Sequence, residues 1–133
     1  MDNSIDITLL GSGSRWIGSG IRSFKEVIRE VLSEAHSQIV MTAYSINDYD
    51  TLECLYRATE NGVKVEIYVF TGDNRNIKTM EELKKISMKN GKMSVIEIND
   101  ETLHAKCVVV DDEIIVIGSA NATLSGMESN YEL

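Results

Sequence analysis

Twice in this chain a helix-like apolar period is stopped by Asn-Gly and followed at once by a β-rich apolar run. Leu52, Leu55 and Tyr56 recur at helical spacing after the N-cap candidates Asn47 to Asp50, Asn61-Gly62 supplies a left-handed stop, and strand Val63–Phe70 follows. The cycle repeats with helix Ile77–Lys89, the stop Asn90-Gly91 and strand Lys92–Ile98. Strands joined through helices lie parallel, because the chain must cross back over the sheet before it can start the next strand. That excludes an all-helical bundle and an all-β sandwich.

The flanking segments extend the pattern. Ile21, Phe24, Val27/Ile28, Val31/Leu32 and Ala35 form one apolar face of a helix ending near His36, and Gln38–Tyr44 reads as a buried strand. Ile5, Ile7 and Leu9 alternate with polar residues, which predicts a short first strand ahead of the loop Gly11–Gly20. Beyond Asp100 the rhythm changes: strand His104–Val110, a turn at Asp111-Asp112-Glu113 and strand Ile114–Ile117 predict an antiparallel hairpin. The expected architecture is α/β, a mixed, largely parallel sheet flanked by helices, in one domain over residues 1–133. No proline, repeat or low-complexity linker divides the chain. No apolar run approaches the ~20 residues that would span a bilayer, and Met1–Asp6 has no basic, apolar leader, so a cytoplasmic protein is expected.

Charge narrows the partners. The formal net charge is −8, which disfavours a surface basic all round. Residues 75–92, however, carry six basic residues against two acidic ones, the one concentrated basic stretch. Helical spacing puts Lys78, Lys85 and Lys89 along one side, a ridge that could track a phosphate backbone or could be a solvated helix face. Cys54 and Cys107 cannot make a disulfide framework, and with His36 and His104 they lack the short spacings of structural zinc, so no metal or other cofactor is expected. The Gly11–Gly20 loop meets neither the dinucleotide nor the P-loop fingerprint. Within it, Arg15 could pair with phosphate and Trp16 could stack on a base.

The hairpin concentrates the chemistry. Period two puts His104 and Lys106 on one face of their strand and Ser119 and Asn121 on one face after the returning strand, while Gly118 permits close backbone approach. Pairing of the strands would collect an imidazole, a cation and neutral hydrogen-bond donors into one pocket, a set suited to a phosphoryl group. A lone strand histidine or lysine is more often structural or solvent-facing. The string is another matter.

His104-x-Lys106-x₄-Asp111-x₆-Gly118-Ser119-x-Asn121 resembles the HKD motif of the phospholipase D superfamily at all six specified positions. Chance would produce it in such a chain on the order of one time in a million. Asn130-Tyr131-Glu132 looks like that family's downstream N-x-E element, and Ala35–Tyr44 and Ala58–Val65 resemble its helix-to-strand passages. The resemblance implies a phospholipase D-like fold with a catalytic hairpin. Its single motif copy is similar to the family's small bacterial endonucleases, which dimerise to bring two copies together.

On that resemblance His104 is the nucleophile that forms a phosphohistidine, and His104 of a twofold partner is the acid. Lys106 and Asn121 hold nonbridging oxygens with Ser119 in support, and Glu132 orients the imidazole. Asp111 and Gly118 are structural, with Asp111 capping backbone amides or pairing with a cation. Members of the family continue past this glutamate with a further strand and helix, so a C-terminally shortened member is expected. The implied activity is metal-independent phosphodiester hydrolysis of DNA or RNA by a homodimer, with no membrane and with a larger defence or repair complex as a further partner. The alternatives are a phospholipase D-type lipid hydrolase or transferase and a noncatalytic nucleic-acid-binding or assembly module.

Overall fold

The computed structural model describes residues 4–12, 20–72 and 74–123. Leu10–Gly11 (β1) and Arg22–Ser23 (β2) form a two-residue parallel ladder, and the chain then runs through α1 (Phe24–Ser33), β3 (Gln38–Ala43), α2 (Tyr49–Glu60), β4 (Lys64–Phe70) and α3 (Ile77–Asn90). β5 (Met93–Ile98), β6 (Cys107–Val110) and β7 (Ile114–Ile117) complete a five-stranded sheet of order β5-β4-β3-β6-β7. β3, β4 and β5 are parallel, whereas β6 runs antiparallel to β3 and β7 antiparallel to β6. The fold is therefore α/β with a mixed, largely parallel sheet.

Local chemistry sets the helix ends. The Ser23 hydroxyl accepts from Glu26 N and the Asp48 carboxylate from Thr51 N at 2.9 Å, each satisfying an amide that the first helical turn leaves open. Gly62 and Gly91 have φ of 84° and 69°, so both Asn-Gly stops turn through the left-handed region that glycine enters without steric cost. α1 and α2 pack on each other, as do α2 and α3, over the sheet face that carries Ile39, Met41, Val65, Ile67, Val108 and Val110. Ile39, Leu55, Ile67 and Leu83 are completely buried there. Each such side chain contributes ~1.5–3 kcal/mol over leaving it in water. The alternate residues, among them Val40, Tyr68, Ile96 and Val109, are half-exposed on the opposite face.

Two expectations fail. Residues 4–9 form no strand, and Ile5 and Ile7 are 86% and 87% exposed. Alternation makes a strand only where a ladder partner is available, and among the described residues this segment meets the sheet-forming backbone only where Arg22 N donates to Leu9 O at 3.0 Å, beside the two-residue β1. At the other end of the sheet, β6 begins at Cys107 rather than His104. The Thr42 hydroxyl accepts from Cys107 N at 3.0 Å and donates to Ala105 O at 2.9 Å, so a side chain closes the ladder. β3 then leaves the sheet, and Ile46 bridges instead to Ala122.

Candidate active site

Parallel strands and their crossovers aim one end of this sheet at the site. β3 and β4 finish there, at Ala43 and Phe70, and α1, α2 and α3 all begin there, which directs three helix N-termini and their partial positive charge the same way. An open α/β sheet binds ligands at this carboxyl end of its strands.

His104 and Lys106 meet at that end. Freed from the ladder, the backbone lets Lys106 curl back so that its Nζ lies 3.0 Å from His104 Nδ1 and donates to His104 O at 2.6 Å. An ammonium has donors only, so a hydrogen bond between the two requires Nδ1 as the acceptor. Tyr44, the first residue beyond β3, places its ring 4.8 Å from the imidazole at an interplanar angle of 61°, and Lys106 Nζ stands 5.6 Å from the same ring's centroid. Two spacing-related polar side chains thus share an aromatic neighbour that the HKD spacing does not include.

The returning strand comes to the same place. Gly118 N donates to Lys106 O at 3.4 Å, and Asn47 N and Asp48 N donate to Ala122 O at 2.8 and 3.0 Å, which ties the residue after Asn121 to the start of α2. Lys106, Gly118 and Asn121 line one small cavity of about 20 Å³, together with Met41, Ala43 and Ala120. That is room for about one water molecule. Asn121 Oδ1 is buried and has no hydrogen-bond partner among the described residues, an arrangement that costs ~1–3 kcal/mol unless a donor is supplied. Ser119 is exposed beside it.

Asp111 lies away from the cavity, at the hairpin tip. With Asp112 it takes a positive φ, 54° and 56°, as a tight turn between twisted strands requires, and aspartate tolerates it. Its carboxylate accepts from His36 N and Ser37 N, both at 2.8 Å, and from Gln38 N and Ser37 Oγ, both at 3.0 Å. The backbone amides of Gln38, Ser37 and His36 hold its carboxyl well below the usual carboxylate range.

The basic ridge mostly runs elsewhere. α3 starts at the site end and leads away from it, so Lys78 stands near the site and Lys89 is about three turns farther along. Lys85 pairs with Glu82 at 3.4 Å, and the Tyr56 hydroxyl holds the Lys89 ammonium, raising its pKa. Lys25, Tyr49 and Lys78 border a groove at the site end, with Asp50 and Glu82 on its walls. Arg15, Trp16 and Glu132 lie outside the described residues. Among the described residues no cluster of histidine, cysteine and carboxylate is suited to a metal ion, and no helix is long and apolar enough to cross a membrane.

Tyr44 and the buried Asn76, whose Nδ2 donates to Tyr44 O and Phe70 O, are the site features that spacing alone misses. The available signal is positional: Tyr44 closes the run Gln38–Tyr44, at the strand end where such sheets bind ligands.

Fold and site together define a domain that gathers an imidazole and an ammonium at one strand end, with the Asn121 carboxamide in a small cavity that Lys106 also lines and His104 does not. The family described as "Cardiolipin synthase, PLD-like domain" matches residues 28–133, and the chain belongs to it and to the phospholipase D superfamily of phosphodiesterases and transferases. Cardiolipin synthase 1 of Bacillus anthracis is 30% identical over 116 residues, which cover 84% of this chain and 22% of that protein. The DISARM protein DrmC of Bacillus paralicheniformis is 28% identical over 121 residues, covering 85% of this chain and 49% of that protein. The chain thus spans half or less of the length of these relatives. Among solved structures, the phospholipase D family member Nuc from Salmonella typhimurium superposes with a TM-score of 0.70 at 24% identity, covering 80% of this chain and 70% of that one.

Proposed function

We propose that this chain is a metal-independent phosphodiesterase acting on nucleic acid as a homodimer, with a phosphohistidine on His104 as the intermediate. The observation that carries the reading is the contact of 3.0 Å between Lys106 Nζ and His104 Nδ1, which sets a cation that can take a phosphate oxygen against the nucleophile's own ring. In the tautomer that lets Nδ1 accept from Lys106, the ring proton is on Nε2, which then cannot attack. A bound phosphodiester draws the ammonium to a nonbridging oxygen. The ring gives its Nε2 proton to water and takes one from water on Nδ1, where the proposed role of Glu132 is to accept from the resulting N–H, and the Nε2 lone pair is freed.

The Nε2–P bond then forms as the P–O bond to the leaving group breaks. The leaving oxygen takes a proton from His104 of the twofold partner. Water next attacks phosphorus, gives that histidine its proton back and releases the phosphate from His104. Charge on the nonbridging oxygens is met by Lys106 and by the Asn121 amide, with Ser119 beside it. The groove that adjoins this end of the sheet offers Lys78 and the exposed ring of Tyr49 to a nucleic acid, while Lys25 is paired there with Asp50 at 3.1 Å and Asp48 and Glu82 also line it.

The cardiolipin synthase likeness favours a second reading, transfer or hydrolysis at a lipid phosphodiester. Incubation with plasmid DNA, single-stranded DNA and RNA in EDTA, beside phosphatidylglycerol vesicles, separates the two. Nucleic-acid cleavage with dimeric mass in solution is expected; turnover of the lipid alone, or binding without cleavage, overturns the proposal.

A further inference from the structure

We infer that Tyr44 is the positioning residue of this site, its ring keeping the His104 imidazole and the Lys106 ammonium side by side at the strand end, the resting arrangement from which substrate draws Lys106 away while the imidazole stays in place. His104 is exposed and precedes the β6 ladder, so strand pairing does little to restrict it. A nucleophile in that position needs another constraint, because a near-attack geometry tolerates little displacement. Tyr44 supplies it by touching both partners at once: it meets the imidazole edge-on and lies beneath the ammonium.

The ring is itself anchored. It stacks on Phe70 with centroids 5.2 Å apart and planes 10° from parallel. Asn76, 1% exposed, fixes the backbone beneath the pair. Its Nδ2 donates to Tyr44 O at 2.8 Å and to Phe70 O at 2.7 Å, and its Oδ1 accepts from Ile46 N at 3.2 Å. One buried amide therefore joins the ends of β3 and β4, sets the two rings face to face and stops Tyr44 from following the chain as it turns toward Ala122. A buried group with its hydrogen bonds made in this way is rigid, since any shift would leave polar atoms unpaired.

The kinetic part of the inference rests on the phosphodiesterase reading, so its test has one arm that does not. In the first arm, the imidazole resonances of His104 are followed by NMR in wild type, Tyr44→Phe, Tyr44→Leu and Phe70→Leu, with His36 as the internal control. Wild type and Tyr44→Phe should share one shifted His104 signal. In Tyr44→Leu it should move toward the position of free histidine, and Phe70→Leu, which keeps Tyr44 but removes its support, should fall between.

In the second arm, cleavage in EDTA should show kcat reduced roughly 10- to 100-fold in Tyr44→Leu with KM little changed, and Tyr44→Phe should restore most of the loss. An unchanged His104 signal in Tyr44→Leu overturns the inference, as does a loss in Tyr44→Phe equal to that in Tyr44→Leu. Should Tyr44→Leu fail to fold, Phe70→Leu decides by the same two readouts. Should wild type turn over lipid and no nucleic acid, the nuclease reading fails alone, and the second arm is run on phosphatidylglycerol.

Discussion

The parallel half of the sheet and its antiparallel hairpin are built by different rules. β3, β4 and β5 with α2 and α3 bury Ile39, Leu55, Ile67 and Leu83 completely and stop their helices on glycines of positive φ. The hairpin has strands of four residues, leaves Ile115 and Ile117 66% and 71% exposed at its edge, and sets His104 and Lys106 outside any ladder. One half is stable because its backbone is regular. The other leaves the ladder at His104 and Lys106 and is clamped at the tip, through Asp111.

The contrast breaks most visibly if the chemistry can be removed without the fold. His104→Asn should lower turnover by on the order of 10⁴-fold. Its thermal midpoint should stay at the wild-type value, since the side chain is exposed. A midpoint that falls with activity would make His104 part of the scaffold. In the other half the expectation reverses: Ile67→Ala, at a completely buried position of β4, should cost ~2–5 kcal/mol of unfolding free energy by urea titration. A cost below about 1 kcal/mol would mean that the parallel half is not where the stability lies.

The smallest expected effect sharpens the boundary between the halves. Asp111 has a folded pKa depressed below its unfolded value of about 3.9. The stability it contributes is therefore present above about pH 4 and is lost as pH falls toward the folded value. Urea midpoints measured from pH 6 down to pH 2.5 should fall more steeply for wild type than for Asp111→Asn, which keeps a residue that tolerates positive φ but has no charge to neutralise. Parallel curves would show that the four donors at the hairpin tip contribute little.

The two halves also differ in how far the sequence discloses them. Helical periods and Asn-Gly stops are local signals, so α2, β4, α3 and β5 lie within a residue or two of their expected bounds. The hairpin's existence is equally legible, because Ile114–Ile117 follows a turn-rich triplet. What the sequence conceals is tertiary. Nothing in the spacing of His104 and Lys106 reveals that Thr42 closes the ladder at Cys107, or that Asn76 fastens two strand ends so that Tyr44 and Phe70 stack. Ile5, Ile7 and Leu9 mislead for the same reason, since alternation records a strand's faces and not the partner it must find.

The Asp111 strap has a consequence for the order in which the molecule assembles. Its carboxylate binds backbone amides 73 to 75 residues away in sequence, and such a loop closes only at a substantial entropic cost. The strands and helices between those points can form from nearer contacts first, and long-range pairings come late. The strap acts with the β3–β6 ladder and the buried Val108 and Val110, so that the docking of the hairpin and the convergence of the residues around it depend on the same long-range closure. A partly folded chain can thus hold most of its core and no reactive centre.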